Sequence, residues 1–249
     1  MMNFIEIDGK KCTEFGLFMA KLPVWTIAAE TVETTALPNV AVMSDRHTGQ
    51  YPDFELTFTG YTVRPASTYD IGQLYKWIAS GKELIMSTQP ELVGRIRKVE
   101  QIEPSRIGTI ANEIKIPITF KPFKYTREDF PQTVDCSAEG ATTFTLYNRG
   151  NIFCEPKFTL TFAEGATEEY IEVNGERLTI AVSSASSGDP ITVDVERKKV
   201  YKVSGGVATI IQSYTSGRFW AQVLESGWNT VTVSANVTAV EVTKNERWL

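Results

Sequence analysis

The sequence predicts an α+β domain followed by an all-β sandwich, and three observations lead there. A run of strict alternation ends at Phe120–Tyr125. Ile114, Ile116, Ile118 and Phe120 fall on one face, and Glu113, Lys115, Pro117, Thr119 and Lys121 on the other, the period of a half-buried strand. The apolar pattern then stops at Thr126–Asp135, a polar connection that holds Arg127, Glu128, Asp129 and Pro131. Past it the sequence is poor in helical pattern and rich in Thr, Ser and Gly. A boundary near residue 130 therefore separates residues 1–128 from 134–249, two domains of ordinary size.

The first domain opens with a strand at Phe4–Ile7 that runs into a turn at Asp8-Gly9. Residues 24–53 are less patterned. Val24–Leu37 is moderately apolar and rich in Thr, Pro38-Asn39 reads as a turn, and Asp45–Gln50 reads as a polar loop on a strand scaffold. Such a loop is either an interaction element or a plain hairpin excursion. Asp53–Val63 alternates, with Phe54, Leu56 and Phe58 on one face. Ser67-Thr68-Tyr69-Asp70 fits a capping box, a hydroxyl at the cap and a carboxylate three residues on. Ile71, Leu74, Tyr75 and Ile78 follow at i, i+3, i+4 and i+7, which predicts a helix over Tyr69–Ser80 with these four on one face. Gly81 is expected to end it in the left-handed conformation. Lys82–Ser87, Leu92–Ile102 and Ala111–Lys121 read as strands. Pro117 cannot donate to a ladder, so the last is expected at an edge or a bulge.

The second domain reads as about ten short strands with turns between them, the spacing of a sandwich or jelly roll. They are Thr142–Tyr147, Lys157–Phe162, Tyr170–Val173, Arg177–Val182, Ile191–Val195, Lys199–Val203, Val207–Gln212, Trp220–Leu224, Asn229–Ser234 and Val237–Thr243. Asn174-Gly175 between two of them is a strong hairpin signal, because both turn residues need positive φ.

Composition narrows the function classes. The net charge of -5 is uneven: residues 1–126 carry 14 basic and 14 acidic side chains, and residues 127–249 carry 11 and 16. Neither half has the basic surplus of a protein that neutralises phosphates. No apolar stretch is long enough for a membrane span, and the N-terminus lacks the basic and apolar regions of a signal peptide. Cys12, Cys136 and Cys154 are odd in number and form no Cys-x-x-Cys pair, which argues against a disulfide scaffold or zinc site and fits a reducing cytoplasm. The one histidine, His47, has no serine elbow around it. No glycine-rich phosphate loop occurs, and Gly205-Gly206 reads as a turn between strands. Glu164, Glu168, Glu169, Glu172 and Glu176 form an acidic run that lacks the alternating ligand order of a calcium loop. Catalysis, cofactors and metals are not expected. Trp220 and Trp228 stand out among the β-domain aromatics, and a sugar-stacking platform on them gives an alternative reading, a carbohydrate-binding protein.

In order and spacing the chain resembles the distal tail (Dit) proteins of long-tailed phages with non-contractile tails. The features are the opening strand with Asp8-Gly9, the strand Asp53–Val63, the helix with Tyr75 and Trp77, and the Phe120–Tyr125 junction. In the second half they are Asn148-x-Gly150, Pro156 opening a strand, Ile191–Asp194 leading into Lys199-Val200-Tyr201, Leu224, Gly227-Trp228-Asn229 and the closing Arg247-Trp248. Ser226 stands where the family often has proline.

The resemblance implies a structural virion protein rather than an enzyme. It implies a tail-tube-like N-terminal domain that forms a homohexameric ring at the end of the tail tube, and a galectin-like C-terminal sandwich outside the ring. The implied partners are the major tail tube protein above, a tail-associated hub protein below and, in some phages, a receptor-binding protein. DNA would pass through the lumen without specific binding, and no membrane is involved. The implied location is the virion tail, assembled in the bacterial cytoplasm.

Overall fold

Strand pairing builds this chain, which is mostly β with few helices. The computed structural model describes residues 3–36, 43–47, 49–62, 67–107, 111–137, 140–185 and 189–249. The turn expected at Pro38-Asn39 lies outside them. The fold divides into two units, Met1–Arg127 with Leu249, and Glu128–Trp248.

The first unit contains β1 (Ile5–Ile7), β2 (Lys10–Lys11), β3 (Leu17–Lys21), β4 (Val32–Ala36), β5 (Met43–His47), β6 (Phe54–Thr62), α1 (Thr68–Ser80), β7 (Glu83–Met86), β8 (Gln89–Val99), β9 (Glu103–Ile107) and β10 (Ala111–Thr126). Its main sheet is antiparallel in the order β2-β1-β7-β8-β10-β6-β3, with β9 also paired to β10. Asp8 and Gly9 take positive φ, 47° and 81°, and turn β1 into β2. The Asp8 carboxylate also accepts from the backbone N–H groups of Lys82 and Glu83, which fixes the entry to β7.

The alternation that marked β10 is the core of this unit. Ile114, Ile116, Ile118 and Phe120 are all fully buried, and β6 lies alongside with Phe58, Leu56 and Phe54 opposite Ile116, Ile118 and Phe120. Pro117 is not at an edge, contrary to the sequence expectation. β6 flanks β10 on one side, and β9 and then β8 flank it on the other. The proline sits in the gap between the last β9 partner of Lys115 and the first β8 partner of Ile118, where no ladder donor is required. A bulge follows beyond Thr119. Both flanks of the Glu113–Phe120 stretch are therefore taken, and this stretch does not supply a free edge for another subunit. β10 also runs on to Thr126, five residues past the expected end at Lys121.

Helix α1 starts as its sequence requires. The Ser67 hydroxyl accepts from the Asp70 N–H at 3.1 Å, and the Asp70 carboxylate accepts from the Ser67 N–H at 3.0 Å. It buries Leu74, Trp77 and Ile78, with Trp77 stacked on Phe15 at 4.4 Å. Tyr75 is exposed, and Trp77 takes the place expected for it. Gly81 ends the helix in an extended conformation (φ -69°, ψ 144°), not the left-handed one. Glycine is needed there for a different reason. A Cβ would lie 2.2 Å from Ile7 Cγ2, so only glycine lets the helix exit pass β1.

The second unit contains β11 (Gln132–Asp135), β12 (Thr142–Asn148), β13 (Lys157–Phe162), β14 (Glu169–Val173), β15 (Glu176–Ile180), α2 (Val182–Ala185), β16 (Ile191–Asp194), β17 (Lys199–Ser204), β18 (Val207–Ile210), β19 (Thr215–Gly217), β20 (Gly227–Val233) and β21 (Val237–Thr243). They form two antiparallel sheets, β11-β21-β13-β16-β17-β18 and β12-β20-β14-β15-β19. One apolar cluster is shared by both. Phe158, Leu160, Ile191, Val193, Val240 and Val242 come from the first sheet, and Leu146, Ile171, Val173, Leu178, Val231 and Val233 from the second. Asn174 (φ 51°) and Gly175 (φ 88°) make the β14–β15 turn as predicted.

Three expectations fail here for local reasons. Thr126–Asp135 is not all connection, because β11 within it pairs with β21 and Asp129 accepts from the Asn245 N–H. Trp220–Leu224 is not a strand. Phe219–Ala221 is a 3-10 turn that buries Phe219, and only Leu224 makes a bridge, to Cys154. The Arg177–Val182 strand stops at Ile180, and Val182 begins α2 instead.

Candidate interaction surfaces

Among the described residues no cluster could hold a metal ion, and no helix is long and apolar enough to cross a membrane. The acidic run does not converge. Glu164 and Glu168 are exposed. Glu169 is buried and accepts from Asn236 Nδ2 at 2.7 Å. Glu172 pairs with Arg177, and Glu176 with Arg218, each at 2.8 Å. The three cysteines are free and buried, and burial pushes the Cys154 thiol up to about 12. His47 lies on β5, which takes in residues 45–47 of the expected polar loop and makes it part of a hairpin, and its backbone is paired with Val32.

The least patterned stretch of the sequence forms an arm. Residues 22–31 have no regular structure but are pinned at intervals by Leu22, Trp25 and Ala28, which are buried. The Trp25 ring meets Phe120 edge-on at 5.2 Å and occupies the space above Gly94, where a Cβ would lie 2.3 Å from it. Lys124, itself buried, donates from Nζ to the Thr26 carbonyl at 2.9 Å. Burial lowers its pKa to about 8, so the ammonium is held against a desolvation cost by this one contact and the Phe54 ring. Between the pins, Val24 and Ile27 are 78% and 74% exposed. The arm continues into the β4–β5 hairpin, a two-stranded sheet with no further strand among the described residues. A lone two-stranded hairpin is marginal in water.

A second surface is the outer face of the β12-β20-β14-β15-β19 sheet. Trp228 and Tyr147 are cross-strand partners, 73% and 47% exposed, with ring centroids 5.0 Å apart. Next to them come Thr145 opposite Thr230, and Thr143 opposite Thr232 with their hydroxyls 3.0 Å apart. The Glu172–Arg177 pair continues the row. Trp220 is elsewhere, half-exposed on its 3-10 turn and edge-on to Phe219 at 5.1 Å. The structure therefore separates the two tryptophans: Trp228 is on a flat strand platform, and Trp220 is on a turn.

Two asparagines that catalytic reasoning passed over organise the loops beside that platform. Asn148, buried, donates to the carbonyls of Ile152 and Leu224 and accepts from the Gly150 N–H. Gly150 must be glycine, because a Cβ would lie 2.2 Å from the Arg247 carbonyl oxygen. Asn229, also buried, accepts from the Glu225 N–H at 2.7 Å and donates to the carbonyls of Glu225 and Gly227. The Ser226 hydroxyl donates to the Gly150 carbonyl at 2.7 Å and ties the two loops together. These are the positions of Asn148-x-Gly150 and Gly227-Trp228-Asn229.

That frame is matched by a family model. Residues 149–248 fit the siphovirus-type tail component, C-terminal domain. Over these residues the chain is similar to that family of siphovirus-type tail components. Over its whole length the fold is similar to the crystal structure of SPP1 Dit, described as a paradigm of hub adsorption apparatus in phages infecting Gram-positive hosts. The TM-score is 0.72, the identity 15%, and 100% of each chain is covered. Two structures of the phage P2 baseplate in its activated conformation, with Ca and with Sr, are similar at TM-scores of 0.50 and 0.51. Their identities are 12% and 11%, with 97% of each chain covered. No curated protein sequence matches significantly. The resemblance read from the sequence agrees with these matches, and of the expected α+β domain and sandwich the coarser description holds, a mostly β fold with few helices.

Proposed function

We propose that this chain is a distal tail (Dit) protein, a structural hub at the distal end of a long, non-contractile phage or prophage tail, joining the tail tube to the tail-tip and host-adsorption apparatus. The observation that carries this is the family match of residues 149–248 together with a fold shared end to end with SPP1 Dit. In this reading residues 1–128 are a tail-tube-like domain that closes a homohexameric ring, and residues 134–249 are a galectin-like sandwich outside it. The ring docks to the major tail tube protein on one side and a tail-associated hub protein on the other. A receptor-binding protein is a further partner, and DNA passes through the lumen unbound.

The arm supports self-association. An isolated β4–β5 hairpin with exposed Val24 and Ile27 at its base gains by packing on a neighbouring copy. Light scattering on the concentrated chain is expected to show six copies of 27.8 kDa, about 167 kDa. A strict monomer at high concentration that also stays out of tail particles would overturn the reading.

A second reading is favoured by the Trp228–Tyr147 pair, which offers an aromatic face bordered by threonine hydroxyls to a cell-wall sugar. In this reading Trp228, rather than Trp220, is the main glycan contact. On a cell-wall glycan array, Trp228→Ala is then expected to abolish binding, while Trp220→Ala leaves it within about twofold. Wild-type silence across such glycans, or loss with Trp220→Ala alone, would remove it.

A further inference from the structure

Among the described edges of the three larger sheets β18 is unlike the rest; β9, for one, carries Glu103, Pro104 and Arg106. β2 is two lysines, β3 carries a bulge, β11 ends in Asp135, and β19 is three residues ending at Gly217 with φ 105°. Charge, bulge and brevity are the usual ways to make an edge unattractive to another strand. β12 is longer and uncharged but buries Leu146 and Asn148 on its inner face and shows Thr143, Thr145 and Tyr147 on the other. β18 reads Val207-Ala208-Thr209-Ile210, with neither charge nor proline. All four residues are exposed, Val207 to 66% and Ile210 to 59%. Val207 and Ile210 sit on opposite faces, so the β17–β18 hairpin runs past the core and is apolar on both sides.

The backbone along this edge is open. Gly205 (φ 55°) and Gly206 (φ 81°) make a two-residue turn, so Ser204 and Val207 form its hydrogen-bonded closing pair. The ladder alternates from there and recurs where the Ile211 N–H donates to the Val200 carbonyl. The N–H and C=O groups of Ala208 and Ile210 consequently point away from β17, and among the described residues no strand pairs with that side.

One end of the edge is charged. The turn that precedes β17 presents Arg197, Lys198 and Lys199, all exposed, and only Arg197 approaches a carboxylate, Asp194 at 3.7 Å. This cationic turn lies beside the Ile210 end, in a unit that is otherwise acidic. An antiparallel second copy of β18 would bring its uncharged Gly205-Gly206 turn there and add no carboxylate for Lys198 and Lys199 beyond those of the turn itself. A strand that begins with carboxylates compensates these lysines.

We infer that β18 takes an additional antiparallel strand from a different protein chain, apolar at alternate positions and acidic at its N-terminal end. This is strand addition to an open edge, in which main-chain bonds supply affinity and alternate side chains supply selectivity. It adds a docking site to the hub role and does not depend on the ring.

The test uses the full chain and a fluorescent peptide, Asp-Glu-Val-Thr-Val-Thr-Val, read by anisotropy, with Lys-Lys-Val-Thr-Val-Thr-Val as the comparison. The acidic peptide is expected to bind about tenfold more tightly than the basic one, and K198E/K199E to reverse that order. Ala208→Pro removes one outward N–H and leaves the β17 ladder bonds in place, and it should weaken binding about tenfold. Ile210→Glu, which keeps the backbone donor but sets a carboxylate against the acidic end of the peptide, should do the same should the proline variant fold poorly. Absence of binding by the acidic peptide, or binding that neither variant changes, overturns the inference. A dimer that Ala208→Pro dissolves would assign the edge to a second copy and overturn it equally.

Discussion

Phe120→Ala is expected to destabilise the first unit by about 4 kcal/mol, the upper range for removing a fully buried aromatic side chain. Phe120 has no exposed surface and sits against Trp25, Phe54 and Phe58 at centroid distances of 5.2, 5.6 and 6.3 Å. The cavity cannot collapse easily, because the side chains around it include three rigid rings, Trp25, Phe54 and Phe58. The effect should reach beyond the sheet. Trp25 loses the ring it meets edge-on, so the arm over residues 22–31 should become more open to protease than in the wild type. Urea titration followed by tryptophan fluorescence checks the first effect, and limited proteolysis the second. A loss under about 1 kcal/mol would show that β10 is not the centre of this core.

Glu246→Leu is expected to cost the second unit about 3 kcal/mol. The Glu246 side chain is fully buried and accepts from Lys244 Nζ at 2.5 Å, Arg149 Nε at 2.7 Å and the Arg149 N–H at 3.2 Å. Removing it leaves Lys244, which is mostly buried, with the Tyr147 carbonyl but no countercharge; Arg149 is half-exposed and recovers water, and both lower the loss from the full value of a buried pair. The same site sets an acid dependence. Burial pushes the Glu246 pKa up, but the hydrogen bonds from Lys244 and Arg149 outweigh it, and the net shift is below the ordinary 4.5. A carboxylate with a depressed folded pKa contributes its full stability above the unfolded value, and that contribution is lost as pH falls through the folded one. Wild type and Glu246→Leu should therefore differ most above about pH 4.5 and converge in acid. Asp129 opposes this: burial raises its pKa, so protonating it favours the fold as pH falls. Parallel curves for wild type and variant from pH 7 to pH 3 would refute the role given to Glu246.

The parts of the fold legible in the sequence were those where one face is wet and the other dry. β10, β6 and β14–β15 show it: half-burial writes a period of two, and Asn174-Gly175 can turn in few other ways. Pro117 was legible as a missing donor, but not as the place where β9 gives way to β8, because that depends on strands far away in sequence. β4–β5 was not legible as strands, because neither Val32–Ala36 nor Met43–His47 alternates apolar and polar residues. Trp220–Leu224 was apolar enough for a strand, yet it folds as a turn that buries Phe219 and leaves Trp220 half-exposed. Tyr75 and Trp77 show a limit of helical spacing: the pattern marks a face, and its width decides which aromatic is inside. For the candidate surfaces, residue type pointed to Trp228, but its pairing with Tyr147 is a register fact. The bare edge of β18 was invisible, because sequence does not say which strand comes last in a sheet.

The position of β10 has a consequence for how the chain is made. In the sheet order β2-β1-β7-β8-β10-β6-β3, removing β10 leaves two separate pieces, β2-β1-β7-β8 and β6-β3. β10 is also the last of these strands to leave the ribosome. While residues 111–126 are still in the exit tunnel, the nascent chain holds both pieces with their inner edges, β8 and β6, bare. Pairings this distant in sequence form slowly, and bare edges are where chains meet each other wrongly. Synthesis of this first unit therefore passes through a vulnerable interval that closes only when its longest strand arrives.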